Sequence, residues 1–202
     1  MPFNPFKLVN KDDVKKNVSR LQKENPQMTR EELCHLIIKK KARWCATTGA
    51  VTALPGVFPG LGTLFAVLGG TALDLTAVSY LMAEMILEMS VVYGRDLDIP
   101  AVSREAAWVF ISAVGSDAAG KGVSRAAVSQ MSKQAFIKIL QDVTISLGIR
   151  VSQRSLLKII PLLGTIISGG VNYFICRKIG SLALSHYSTS HPEEWNGVTI
   201  DL

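Results

Sequence analysis

Charge is scarce in this 202-residue chain, at 19% Asp, Glu, Lys and Arg, below the quarter or so usual for a soluble domain. Cysteine and histidine are scarcer still, with three of each. Cys34, Cys45 and Cys176 contain no C-x-x-C pair and no even-numbered framework, which excludes a disulfide scaffold and leaves reduced core thiols. His35, His186 and His191 are too scattered to build a metal site, so neither a metal nor a cofactor is expected. No apolar run follows the lysines of residues 1–13, so a cleaved secretory signal is not expected and the cytoplasm is the expected compartment. Base-stacking aromatics are missing among the basic residues, as is any recognition motif, which argues against nucleic acid as a partner.

What the chain does have is apolar surface, with 48% hydrophobic residues and a mean hydropathy of +0.27. At this length one domain with a sizeable core is the expectation. The charge that exists is concentrated. Residues 1–46 carry eleven basic side chains against five acids, so this quarter of the chain holds the whole formal net charge of +6.

The richest segment is Thr47 to Leu73, uncharged and interrupted by Pro55, Pro59, Gly60, Gly62, Gly69 and Gly70, which runs into the lone acid Asp74. It is apolar enough to enter a bilayer, and equally able to fill a core. Ahead of it, Val14, Val18 and Leu21 at helical spacing among lysines predict a short basic amphipathic helix that ends before Pro26, after a loose start over residues 1–6. Thr29-Arg-Glu-Glu32 has the capping-box pattern and opens a second helix that continues toward Ala53. A long helix is predicted from about Thr71 to Tyr93, stopped by Gly94. Another starts at Pro100, and one more spans Ser124 to Leu147. A second apolar block, Leu156 to Cys176, is broken at Pro161 and Gly164, and its helix resumes at Ile166 and continues to Tyr187.

Several residues stand out chemically. Gly115 to Gly122 satisfies G-x-x-x-x-G-K after the β-capable run Trp108 to Val114, but Gly122 replaces the Ser or Thr that would hold magnesium, so a glycine-rich interhelical loop is preferred. Asp74, Glu84 and Glu88 form an acidic stripe on one apolar helix; in lipid they would be functional by default, and in a soluble bundle they are solvated groups or a buried cap. Asn172 sits mid-helix beside Gly169 and Gly170, where close helix approach would let its amide bond across, even to Asp74. Gly69 and Gly70 are the corresponding helix-approach glycines of the first block. Lys39, Lys40, Lys41 and Arg43, next to an apolar block, fit a juxtamembrane basic anchor, an acidic partner or a plain solvated face. Phe3, Phe6, Lys15 and Lys16 are the further candidate contacts for a membrane or partner.

The order Thr47-Thr-Gly-Ala-Val-Thr, Asp74-Leu, Val91-Val-Tyr-Gly94, then Pro161-Leu-Leu-Gly164, Gly169-Gly170-Val-Asn172-Tyr-Phe, Arg177-Lys-Ile-Gly180 and His186-Tyr187 resembles the EcsC family from about Ala42 to Tyr187. A related apolar helical domain of some GTPase-associated proteins shares much of it. The family is named for a gene beside a bacterial ABC transporter. The resemblance implies a helical, membrane-associated protein without an established catalytic activity, and it carries over no active site. Asp74 departs from the pattern in being followed by Leu-Thr rather than proline.

The sequence therefore predicts an all-α bundle of roughly six to eight helices with two glycine- and proline-interrupted apolar hairpins. Residues 1–28 form a basic amphipathic arm, residues 29–187 an EcsC-like helical domain and residues 188–202 a polar tail. The expected function is non-enzymatic association with the cytoplasmic face of a membrane or a membrane transport complex, peripheral or partly inserted. A soluble interaction module is the alternative, and a lipid-modifying or hydrolytic enzyme using Asp74, Glu84 or Glu88 is a third reading.

Overall fold

The computed structural model describes residues 4–53, 71–115, 134–135, 138–140, 142–143, 145–146 and 161–190. Among them all regular structure is helical: α1 (Pro5–Leu8), α2 (Lys11–Glu24), α3 (Arg30–Ala53), α4 (Thr71–Val92), α5 (Pro100–Gly115) and α6 (Pro161–Thr189), with short helical pieces between residues 134 and 146. The chain is all-α, as its periodicity implies.

Local chemistry sets most of the helix ends. Asn10 Oδ1 accepts from the backbone N–H groups of Asp12 and Asp13 at 3.0 and 3.3 Å, and both acids sit where the α2 dipole favours negative charge. At α3 the capping box closes as expected, the Thr29 N–H donating to Glu32 Oε2 at 2.8 Å and the Glu32 N–H to Thr29 Oγ1 at 3.3 Å. Gly94, at φ +81°, ends α4 in a Schellman arrangement in which the N–H of Gly94 donates to Val91 O and that of Arg95 to Ser90 O, both at 2.9 Å. Two sequence expectations fail here. Residues 4–6 are not loose, because Asn4 caps α1 through the Phe6 N–H at 3.0 Å with Pro5 in the first turn. Nor does Gly164 break the second block. From Pro161 onward α6 is one helix of 29 residues, in which Gly169 and Gly180 sit at close approaches to α3.

The helix α4 organises the rest. It is apolar around its whole circumference, so no single face can satisfy it and it must be covered on all sides. It packs against α1, α2, α3, α5 and α6, and Met82, Met85, Ile86, Leu87 and Met89 are wholly buried. The N-terminal segment joins in this cover. Val14 and Val18 of α2 are buried, and Phe6 of α1 meets Phe110 of α5 edge to face at 6.0 Å, so the basic segment is part of the packed body rather than a separate arm.

The broadest helix contact is between α3 and α6, which run antiparallel: Ile38 lies against Gly180, and the Ala46 carbonyl against Gly169. Of the two predicted hairpins, the first is expected to turn at Pro55 to Gly62, which lies outside the described residues, as do Gly69 and Gly70. Trp108 to Val114 lies inside α5, so a helix and not a strand leads to the G-x-x-x-x-G-K stretch. Residues 116–122 themselves fall outside the described set.

The two neighbouring glycines of α6 should respond oppositely to alanine. A Cβ on Gly169 would meet the Ala46 carbonyl oxygen at 2.9 Å, a backbone atom that cannot swing away, whereas a Cβ on Gly170 meets nothing within 4 Å. Gly169→Ala should lower stability by about 1–3 kcal/mol, and Gly170→Ala should raise it by up to about 1 kcal/mol through helix propensity. Urea denaturation of both variants checks this, and equal shifts would disprove the close approach.

Candidate functional site

Successive residues of a helix point about 100° apart, so the run Lys39-Lys40-Lys41-Ala-Arg43 cannot face one way. In α3 it divides. Lys41 turns inward and is 5% exposed, while Lys39, Lys40 and Arg43 stay on the surface. The inward lysine reaches α4, its Nζ lying 2.5 Å from Glu84 Oε2 and 3.1 Å from Glu88 Oε1. One cation thus serves two nearly buried carboxylates. Burial is the largest influence on Glu88 and raises its pKa, with Glu84 adding to the rise and Lys41 opposing it.

The three acids of the predicted stripe do not form one site. Glu84 and Glu88 meet on Lys41, but Asp74 lies ten residues earlier in α4, roughly 15 Å along the axis, and its side chain falls outside the described residues. Asn172 is wholly buried in α6, at the level of the tight approach to α3. Among the described residues no cluster of His, Cys, Asp and Glu has the makings of a metal site. The cysteines are buried, and burial pushes the Cys34 thiol up to about 12, which leaves it unreactive.

A second polar cluster, absent from the sequence reading, ties the end of α6 to α5. Glu105 is buried and takes Arg95 through both carboxylate oxygens, at 3.2 and 3.3 Å; Arg95 also donates to Ser190 O and Oγ. Glu105 Oε1 lies 2.9 Å from His186 Nε2, and Ser190 Oγ lies 3.3 Å from that same nitrogen. Serine, histidine and glutamate are in contact, yet the geometry is not a nucleophile relay. A relay needs the carboxylate on one ring nitrogen and the serine on the other. Here both compete for Nε2, and Arg95 occupies the serine oxygen. The cluster is a clamp, completed by the Tyr187 ring under Arg95 at 5.6 Å and stacked on Tyr93.

The surface chemistry lies on the opposite side of α3 and α6. Both helices lean on α4, α3 through Lys41 and α6 through Cys176, whose Sγ is 3.9 Å from Met85 Sδ. Their outward sides therefore share one face. It presents Lys39, Lys40 and Arg43 from α3 with Phe174, Arg177 and Lys178 from α6, and Trp44 stands at its edge. Phe174 is 71% exposed and Trp44 57%, which is unusual for such large rings. No acid follows Glu32 in α3 and none occurs in α6. Lys39, Lys40 and Arg43 also line an open groove of about 650 Å³ toward α2, with Leu21, Leu36, Trp44 and Thr47.

Other expected contact residues are placed differently. Phe6 is in the core and Lys41 faces inward, so neither is available to a membrane as packed. Lys15 is paired with Asp98 at 2.7 Å, Lys16 is exposed, and Phe3 lies outside the described residues. Trp44 and Phe174, which carry the apolar part of the face, were not among the expected contacts. Their signal was available: each falls among exposed cations on a helix whose other side is apolar.

The Lys41 cluster makes a pH prediction. Lys41→Met leaves two buried carboxylates without their cation and should cost about 3–5 kcal/mol at neutral pH. In the unfolded chain both glutamates ionise near their ordinary values, while in the folded variant Glu88 is held above them, further than in the parent because its opposing cation is gone. The folded state then binds more protons, so stability falls as pH rises above the ordinary glutamate range and recovers as pH falls back into it. Urea denaturation at mildly acidic and neutral pH measures this. A loss independent of pH would show that the lysine is not what holds these carboxylates.

Among the described residues, no helix is long and apolar enough to cross a membrane. No curated protein and no solved structure gave a significant match to the chain. The sequence pattern of the EcsC protein family matches residues 7–189, nearly the whole chain including α2 and the clamp at His186. The protein belongs to the EcsC protein family.

Proposed function

We propose that the protein acts by binding rather than by catalysis, docking peripherally on the anionic cytoplasmic face of a membrane, alone or beside a membrane transport complex. The observation that carries this reading is that α3 beyond Glu32 and the whole of α6 carry no acid, yet together they expose five cations and the rings of Trp44 and Phe174. Exposed cations on acid-free stretches of helix suit an anionic sheet, and each contributes about 1 kcal/mol near such a surface. Rings of this size among cations suit the interfacial zone, where an apolar body and a wet rim are both accommodated. The non-enzymatic part of the reading is supported by the chemistry of the polar clusters. Glu84 and Glu88 are engaged by Lys41, and the Ser190, His186 and Glu105 contacts converge on one nitrogen.

Flotation with vesicles containing phosphatidylglycerol tests the proposal directly. The parent protein should float at low salt and be released as salt screens the contact over a Debye length of about 10 Å. Replacing Lys39, Arg43 and Arg177 together by glutamine should weaken partition by about a hundredfold, at about 1 kcal/mol per charge. Unchanged flotation of this triple variant, or a parent protein that ignores anionic vesicles, would sink the reading. Binding to an acidic protein instead would move the face to a soluble interaction module.

A further inference from the structure

The basic face is not uniform. Toward α2 it opens into a groove lined by Lys39, Lys40 and Arg43 together with Leu21, Leu36 and Trp44. Leu36, Lys39, Lys40 and Arg43 fall at i, i+3, i+4 and i+7 on one side of α3, Trp44 flanks them, and Leu21 is contributed by α2. Its volume of about 650 Å³ is within the range of small-molecule sites. Thr47 at its far end is occupied locally, its hydroxyl donating to the Arg43 carbonyl at 3.0 Å. Among the described residues no acid lines the groove, and Lys39, Lys40 and Arg43 have no ion-pair partner there.

We infer that this groove is a stoichiometric site for a single anionic phospholipid, its phosphate held by Lys39, Lys40 and Arg43 and the upper part of its acyl chains laid along Leu21, Leu36 and Trp44. A diffuse basic face attracts any anionic surface. A groove pairing cations with adjoining apolar side chains distinguishes an amphiphile from both a free phosphate and a neutral lipid, because only the anionic amphiphile satisfies both. The tryptophan is the discriminating residue: exposed to water in the free protein, it is covered when the chains are seated. The inference rests on the membrane-surface reading and narrows it from a surface to a molecule.

Dihexanoyl-phosphatidylglycerol, titrated below its micelle concentration into the full-length chain and followed by calorimetry, separates the two. One lipid per chain should bind saturably, with dihexanoyl-phosphatidylcholine and glycerol phosphate each weaker by about tenfold or more. Lys39→Gln and Arg43→Gln should each weaken the lipid by about fivefold. Trp44→Ala should weaken the lipid by about tenfold while leaving glycerol phosphate unchanged. All three positions are exposed, and circular dichroism of each variant checks that it is folded. Glycerol phosphate binding as tightly as the lipid would overturn the inference in favour of a free phosphate compound. Equal affinity for the choline lipid would overturn it as well, since the cations would then read nothing. If vesicles are bound while monomeric lipid is not, the discrete site falls and the membrane-surface reading stands. If neither is bound, both fall.

Discussion

A helix that is apolar on every side must be surrounded, and α4 places that constraint on everything else. Most amphipathic helices are satisfied by one neighbour; α4 requires five, and the described helices are the ones that meet the demand. The requirement explains why the basic N-terminal segment is packed rather than free. Its α1 and α2 cover part of α4 that would otherwise face water. It also explains why α3 and α6 approach so closely. Both must reach α4 while lying side by side, and only a residue without a side chain at Gly169 and Gly180 lets the two backbones and the Ile38 side chain fit.

The same constraint sorts the charges. Glu84 and Glu88 belong to a helix that is to be enclosed, and two carboxylates cannot be enclosed without a cation. α3 supplies it. Once Lys41 is committed inward, the helical angle leaves Lys39 and Arg43 pointing away from α4, with Lys40 between them and the α2 side, where it also borders Glu88. The exposed basic surface is thus the other half of the same helix register that satisfies the core. A single-residue shift in the phase of α3 would expose the buried pair and bury the wrong lysine. The interior ion cluster and the outward face are therefore coupled through one rigid helix.

Local rules made much of this legible. The capping box at Thr29, the stop at Gly94, the start at Pro100 and the end before Pro26 each depend on neighbours a few residues away, and each is seen in the structure. The failures concern partners far along the chain. Nothing within Lys39-Lys40-Lys41 says which lysine turns inward, because the choice is made by the phase of α3 against α4. The clamp of Arg95, Glu105 and His186 joins three segments that no spacing rule connects. Gly164 suggested an interruption because glycine weakens an isolated helix, but α6 runs through it in one piece. Asn4-Pro5 carries a cap signal that the expectation of a loose start over residues 1–6 did not use.

Hydropathy alone could not decide between lipid and protein as the surroundings of the apolar residues, since both lack water and both demand that backbone polar groups be satisfied internally. The direction of the charges separates the two cases. A helix in lipid would have to pair its acids within the bilayer, and a neighbouring helix carrying exposed lysines on its far side could not lie in the same layer without burying them unpaired. In α4 Glu84 and Glu88 are paired by Lys41 of α3, and α3 exposes Lys39, Lys40 and Arg43. The apolar character of α4 is then explained by the helices packed around it, with no lipid required, and on the proposed reading a membrane surface would meet only the charges and rings that the fold leaves uncovered.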